Sequence, residues 1–356
     1  MSALEGVVIA DFGRVLAAPY ATMVLADLGA EVVKVEHPRG DETRAWGPPH
    51  AHGHSTYFLS VNRNKESRTL DLATPGGLAA ARELVLGADV LVENFRPGTM
   101  RRFGLDHESL RTVHRGLVYC SVTGFGAGAA LPGYDLLVQA VGGLMSVTGP
   151  APGEPTKVGV ALVDVLTGLH AAVGILAALR HRDRTGEGQL VEVDLLSVLL
   201  SAMVNQSAGY ALAGVVPGIM GNRHPSIAPY EVFPTADRPM VLAVGNDRQF
   251  TRLCRALGLP PDDRFATNAS RVAHVAALAE LIGARLRTRT AAEWFALLTP
   301  LGVPCGPVND VAGAFELAES LGLRPIAEVG GMRLVANPIR LSATPVTYRT
   351  PPPDLA

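Results

Sequence analysis

Gly6-Val7-Val8-Ile9-Ala10-Asp11-Phe12 is followed, after one helical pattern, by Glu31-Val32-Val33-Lys34-Val35-Glu36. Both runs are short and rich in β-branched residues, as strands of a covered sheet are, and the apolar spacing at 19–28 between them is helical. Strand-like segments recur at 68–72, 89–94, 117–122 and 190–193, and helical patterns at 76–86 and 100–114 separate several of them. This β-α-β rhythm predicts an α/β fold with a mostly parallel sheet and helices on both faces. In such sheets ligands sit in the loops at the carboxyl ends of the strands, and here those loops carry Gly, Pro, Arg and Asn.

From about residue 221 the character changes. Strand candidates at 230–234 and 240–245 precede helical patterns at 247–257, 270–286 and 291–298, which predicts a small α+β lobe. The expected division is a large domain over 1–195, a linker over 196–224, the small domain over 225–322 and a return to the large domain over 323–356.

A chain of 356 residues suffices for a large and a smaller domain with an ample core. With 48% hydrophobic and 18% charged residues it reads as globular, and a net charge of -2 gives no general attraction to nucleic acid or anionic membrane. Cys120, Cys254 and Cys305 lie far apart without a CxxC pair, and the histidines lack a ligand spacing. Neither a disulfide framework nor a metal site is expected, and a reducing, cytoplasmic location fits. The first residues lack the pattern of a signal peptide. The most apolar runs, 165–179 and 195–204, fall short of the roughly 20 residues of a membrane span.

Val158-Gly159-Val160-Ala161-Leu162-Val163-Asp164 ends an apolar run in one carboxylate, and a long apolar helix follows. Asp164 reads as the N-cap of that helix. The same place suits a nucleophile, because backbone N–H groups and the helix dipole hold a carboxylate ionised and able to attack an acyl carbon. Arg14, Arg39, Arg44, Arg63, Lys65, Arg96, Arg101 and Arg102 fall on N-terminal loops, either as a phosphate-holding group or as solvated surface. The composition of Glu93-Asn94-Phe95-Arg96-Pro97-Gly98 leans toward a ligand loop. Gly124-Phe125-Gly126-Ala127-Gly128 breaks the GxGxxG spacing, so no nicotinamide or flavin site is expected. Asp135, before a helical pattern at 136–145, reads as an N-cap, and Tyr134 is placed to offer its hydroxyl to a substrate carboxylate. His170 reads as a core residue of the apolar helix, and no G-x-S-x-G elbow supports a serine hydrolase.

Together these landmarks resemble the class III CoA-transferases, which include formyl-CoA:oxalate and carnitine CoA-transferases and α-methylacyl-CoA racemase. The resemblance rests on Val8-Ile9-Ala10-Asp11-Phe12, on Leu28-Gly29-Ala30 leading into Glu31–Glu36, and on Gly40-Asp41 with Arg44. It continues through Asn62-Arg63-Asn64-Lys65 with Leu70-Asp71-Leu72, the 93–98 loop, 133–139, Thr185-Gly186-Glu187-Gly188-Gln189 and Ala336-Asn337-Pro338-Ile339, nearly the whole chain. It implies a Rossmann-like large domain assembled from both ends of the chain, and two subunits threaded through each other like linked rings. It places the nucleophile on Asp164 and CoA contacts on Leu16, Ala17, His37 or Arg39, Leu70, Asn94, Phe95, Arg96 and Arg102, with Asp135 beside them. It implies an acyl-CoA and a carboxylic acid as substrates, no permanently bound cofactor, and an exchange through aspartyl anhydride and aspartyl-CoA thioester intermediates.

Racemases of the family carry a histidine base where Tyr134 stands. A phenol, ionising at about pH 10 in water, is a poor base. The resemblance therefore points to transfer ahead of α-carbon proton abstraction or CoA-ester binding without turnover. Leu16 replaces a glutamine of the formyl transferases, which implies an acyl group less polar than oxalate. The glycine-rich flap of those enzymes has its nearest counterpart in Val244-Gly245-Asn246-Asp247.

Overall fold

The computed structural model of the chain describes residues 2–129 and 131–356, which fall into two compact units. The first runs to residue 144 and adds 157–216 and 322–356; the second comprises 145–156 and 217–321.

Among the described residues of the first unit, six strands form a parallel sheet. They are β1 (Val8–Asp11), β2 (Glu31–Glu36), β3 (Lys65–Thr69), β4 (Val90–Glu93), β5 (Val118–Thr123) and β6 (Leu190–Asp194). Their spatial order is β3-β2-β1-β4-β5-β6. The winding therefore reverses between β1 and β4, and a crevice opens there beyond the carboxyl ends. Alternate side chains feed two layers. Ile9, Val90, Val92, Val118 and Cys120 pack on α1 (Ala17–Asp27), while Ala10, Leu91 and Tyr119 pack on α2 (Pro75–Leu86). Two further helices frame the site, α3 (Asp135–Val141) and α4 (Leu162–Thr185).

By length and apolarity alone α4 is long enough to cross a membrane. Ala171, Ile175 and Ala178 are nevertheless fully buried against the sheet and α1, the behaviour of a core helix. The two helices meet at Gly168, where a Cβ would stand 2.6 Å from the Ala17 carbonyl oxygen. Glycine alone lets the backbones come this close.

Two expectations shift in this unit. The strand expected at 68–72 is formed by Lys65–Thr69, because Lys65 and Ser67 turn inward to the buried carboxylates of Asp11 and Glu36 and give the strand a polar sequence. The helix expected over 100–114 is two single turns, Thr99–Arg102 and His107–Leu110, separated at Gly104 by a left-handed backbone.

In the second unit β7 (Tyr230–Phe233), β8 (Met240–Ala243) and β9 (Cys305–Pro307) form an antiparallel sheet in the order β9-β8-β7. Helices Asp247–Leu257, Val275–Leu286 and Ala291–Leu298 close over it on a core that includes Met240, Leu253, Ile282 and Trp294. The helix expected over 270–286 is broken at His274.

Candidate active site

α4 begins at Leu162, with Ala161 as an N-cap that lacks a side-chain hydrogen bond. Asp164 is therefore the third helical residue and not the cap the sequence predicts. The acceptor comes from α3. Asp135 Oδ1 accepts hydrogen bonds from the Val163 N–H at 2.8 Å and the Asp164 N–H at 3.3 Å. Its Oδ2 accepts from the Gln139 side-chain amide at 2.6 Å, and Gln139 Oε1 accepts from the Val158 N–H at 2.9 Å. The first N–H groups of a helix need acceptors, and one carboxylate supplies two here. Asp135 is not the cap of its own helix either, since Tyr134 holds that position.

This arrangement leaves the Asp164 carboxylate free of the donors that the sequence assigned to it. Burial first, and the Asp135 charge second, push its pKa up to about 7. The expectation of a carboxylate held ionised by the helix start is thus reversed, because the cap brings a like charge with it. Beside Asp164 lies an apolar nook in which Leu16, Met23 and Val61 pack with Tyr20, Tyr57, Ala161 and Val165. Tyr57 carries no sequence signal beyond an aromatic residue two places after the Ser55 cap. Burial, then Asp164, Asp135 and Asp41, raise its phenol pKa to about 12, so it keeps its proton. Trp46 stands edge-on to it with ring centroids 5.3 Å apart.

At the carboxyl ends of the strands a cleft of about 420 Å³ is lined by Phe12, Arg14, His37, Arg39, Leu70 and Phe95 with their neighbours. Leu16 and Ala17 are buried where α1 begins, Leu16 against Ala161 and Val165 at the start of α4. Arg96 and Arg102 are exposed and adjoin the cleft residues Phe95 and Phe103 in the chain. Asn94 spends both polar atoms on the loop before α1: Oδ1 accepts from the Arg14 N–H and Nδ2 donates to the Arg14 carbonyl, each at 2.8 Å. Tyr134 is 63% exposed.

Half of the dispersed cations are structural. Arg63 forms a two-pronged pair with the buried Asp27, and Lys65 bonds Asp11 Oδ2 at 3.0 Å with both side chains fully buried. Arg44 grips Glu36 with Nε at 2.8 Å and Nη2 at 2.6 Å, and Arg14 pairs with Glu42. Asp41, a landmark of the resemblance with no role assigned to it, is the hub of this network. Burial pushes its pKa up, but Lys34 and the Thr43 donors outweigh that and bring it down to about 2. Among the described residues no group of three or more His, Cys, Asp or Glu side chains is arranged to hold a metal ion.

The sequence model for CoA-transferase family III matches residues 4–356. The chain is 42% identical over 370 aligned positions to the succinate–glutarate CoA-transferase of Agrobacterium fabrum, covering 99% of this chain and 92% of that one. It is 40% identical to the succinyl-CoA:glutarate CoA-transferase of Mus musculus, covering 100% and 84% of the two chains. A crystal structure of a CAIB/BAIF family protein from Brucella suis superposes with a TM-score of 0.90 at 40% identity, covering 99% of this chain and 96% of that one.

Proposed function

We propose that this chain, which belongs to CoA-transferase family III, moves CoA from a short dicarboxylic acyl thioester to a second dicarboxylic acid, with Asp164 taking the acyl group. The observation that carries this reading is the Asp164 carboxylate itself, set in the first turn of α4, capped by proxy through Asp135 and bordered by an apolar nook. A carboxylate whose pKa sits near 7 is a stronger nucleophile than an ordinary one and is still substantially ionised at neutral pH.

In the proposed exchange the ionised Asp164 oxygen bonds to the thioester carbonyl carbon, and the C–S bond breaks to release CoA thiolate. The thiolate then attacks the aspartyl carbonyl of the mixed anhydride, releasing the donor carboxylate and leaving an aspartyl-CoA thioester. The acceptor carboxylate attacks that thioester and frees the thiolate again. Thiolate attack on the acceptor's own carbonyl yields the new acyl-CoA and restores Asp164. One acyl thioester is consumed and one is formed overall, so no ATP is needed.

His37, Arg39, Leu70 and Phe95 in the cleft are proposed to hold the nucleotide end of CoA, with Arg96 and Arg102 beside them for phosphate. Leu16 and Ala17 are proposed to flank the thioester. The relatives support succinyl-CoA as donor and glutarate as acceptor. Leu16, Tyr57 and Val165 offer apolar surface to the methylenes between the carboxylates. A second copy of the chain is proposed to cover the outer face of α4, where Leu169, Val173 and Leu176 are 39%, 66% and 36% exposed. Light scattering checks this, and a monomer mass contradicts it. The interlocked form of the dimer follows the resemblance.

The direct test of activity is to mix the purified chain with succinyl-CoA and glutarate and follow glutaryl-CoA by mass spectrometry. Glutaryl-CoA formed in step with succinate release is expected. Release of free CoA alone, or no reaction, contradicts the proposal.

A further inference from the structure

We infer that Asn94 is a positioning residue of the transfer reaction: with Asp41 it clamps the loop from Gly13 to Leu16 in a strained shape that fixes Leu16 against the nucleophile's helix. The inference rests on the reading of Asp164 given above.

Val15 has φ of 66°, a left-handed backbone in which a β-branched side chain crowds its own peptide. Such a conformation persists only where its surroundings hold it. Here the holders are side chains from other strand ends, peptide by peptide. The Gly13 N–H donates to Asp11 Oδ1 at 2.8 Å, and Lys34 Nζ donates to the Gly13 carbonyl at 2.8 Å. Gly13 admits no side chain, since a Cβ would lie 2.6 Å from that of Ala18. Asn94 grips the Arg14 peptides from both sides, and the Val15 N–H donates to Asp41 Oδ2 at 3.2 Å. Asp41 is itself locked by Lys34 in a pair buried on both sides.

The strained residue sits at a joint. Arg14 before it lines the cleft, whereas Leu16 after it is buried beside Tyr20, Tyr57, Ala161 and Val165. A thioester whose nucleotide end lies in the cleft reaches Asp164 past this joint, so the torsion at Val15 sets the approach. Removing the Asn94 amide frees the Arg14 peptides on both sides at once. Val15 then relaxes to an ordinary torsion and carries Leu16 with it. Both polar atoms of the Asn94 side chain are spent on the Arg14 peptides, so that side chain acts through the loop and not, as the resemblance implies, by bonding CoA itself.

The test uses the full chain with Asn94→Ala. Exchange should fall about tenfold in kcat, as expected for a misplaced reacting group, while the Kd for CoA measured by calorimetry stays within about twofold. A crystal structure of the variant should show residue 15 at negative φ. Adding Val15→Gly, for which the left-handed region carries no penalty, should recover part of the lost kcat, a rescue that loss of folding stability does not produce. Unchanged kcat, or a Kd raised about tenfold with the loop intact, overturns the inference. If the wild-type chain exchanges no CoA with any acid, the functional reading falls. The residue 15 torsion in Asn94→Ala then still decides the clamp, and a positive φ overturns it.

Discussion

The Asp135 carboxylate caps the helix that carries Asp164, accepting hydrogen bonds from the Val163 N–H at 2.8 Å and the Asp164 N–H at 3.3 Å. One carboxylate thus fixes the backbone of the other and also raises its pKa, second only to burial. The same side chain fixes the position of Asp164 and adds to the effect of burial on its charge.

Asp135→Asn separates the two effects. The amide oxygen still caps α4, although the bond from Gln139 is given up, and the like charge is gone. The Asp164 pKa should fall from about 7, so the acid limb of the kcat/KM profile moves to lower pH. A limb that stays in place contradicts the role assigned to Asp135.

Asp164 also weighs on folding. Its folded pKa of about 7 lies above the ordinary 3.8, so the folded state binds the extra proton between those values. Stability must then fall as pH rises through that interval, and the full penalty stands above pH 7. Asp164→Asn should abolish exchange yet melt above the wild type at pH 8, with the gap closing toward pH 4. Calorimetry across pH reads this, and a variant melting at or below the wild type at pH 8 refutes it.

Gly168 holds α4 against α1. A Cβ there meets the Ala17 carbonyl oxygen at 2.6 Å, backbone that has no rotamer with which to yield. Gly168→Ala should cost about 1–3 kcal/mol in urea unfolding, the usual range for overpacking. Exchange should fall as well, since Asp164 and Leu16 are forced apart. Wild-type stability in this variant would show that the helices are not in contact as described.

Tyr57 keeps its proton beside Asp164, with its pKa at about 12. It can donate to oxygen that becomes negative as the thioester is attacked. Tyr57→Phe should lower kcat by on the order of a hundredfold to a thousandfold, as for loss of one oxyanion donor, while the melting temperature changes little. An unchanged kcat removes Tyr57 from the chemistry.

The β-α-β order was legible because Val8–Asp11, Glu31–Glu36 and Val90–Glu93 are short runs rich in β-branched residues and buried almost continuously, as strands covered on both faces are. Lys65–Thr69 was misplaced because its buried side chains are polar, and only contacts distant in sequence, to Asp11 and Glu36, make them interior residues. The same limit explains the cations. Nothing near Arg63 in sequence shows that Asp27 neutralises it, and nothing near Arg39 shows that it lines the cleft. At the site, Asp164 stood out at the end of an apolar run. Its proxy cap lies 29 residues away, so the raised pKa was invisible and the opposite was expected.

The proposed exchange requires that Asp164 become covalently acylated. The chain should be mixed with isotopically labelled succinyl-CoA, quenched with hydroxylamine or borohydride, digested and examined by mass spectrometry. Asp164 should be found modified, and the modification should be absent without acyl-CoA and in Asp164→Asn. An unmodified Asp164 in an enzyme that exchanges CoA under the same conditions would contradict it.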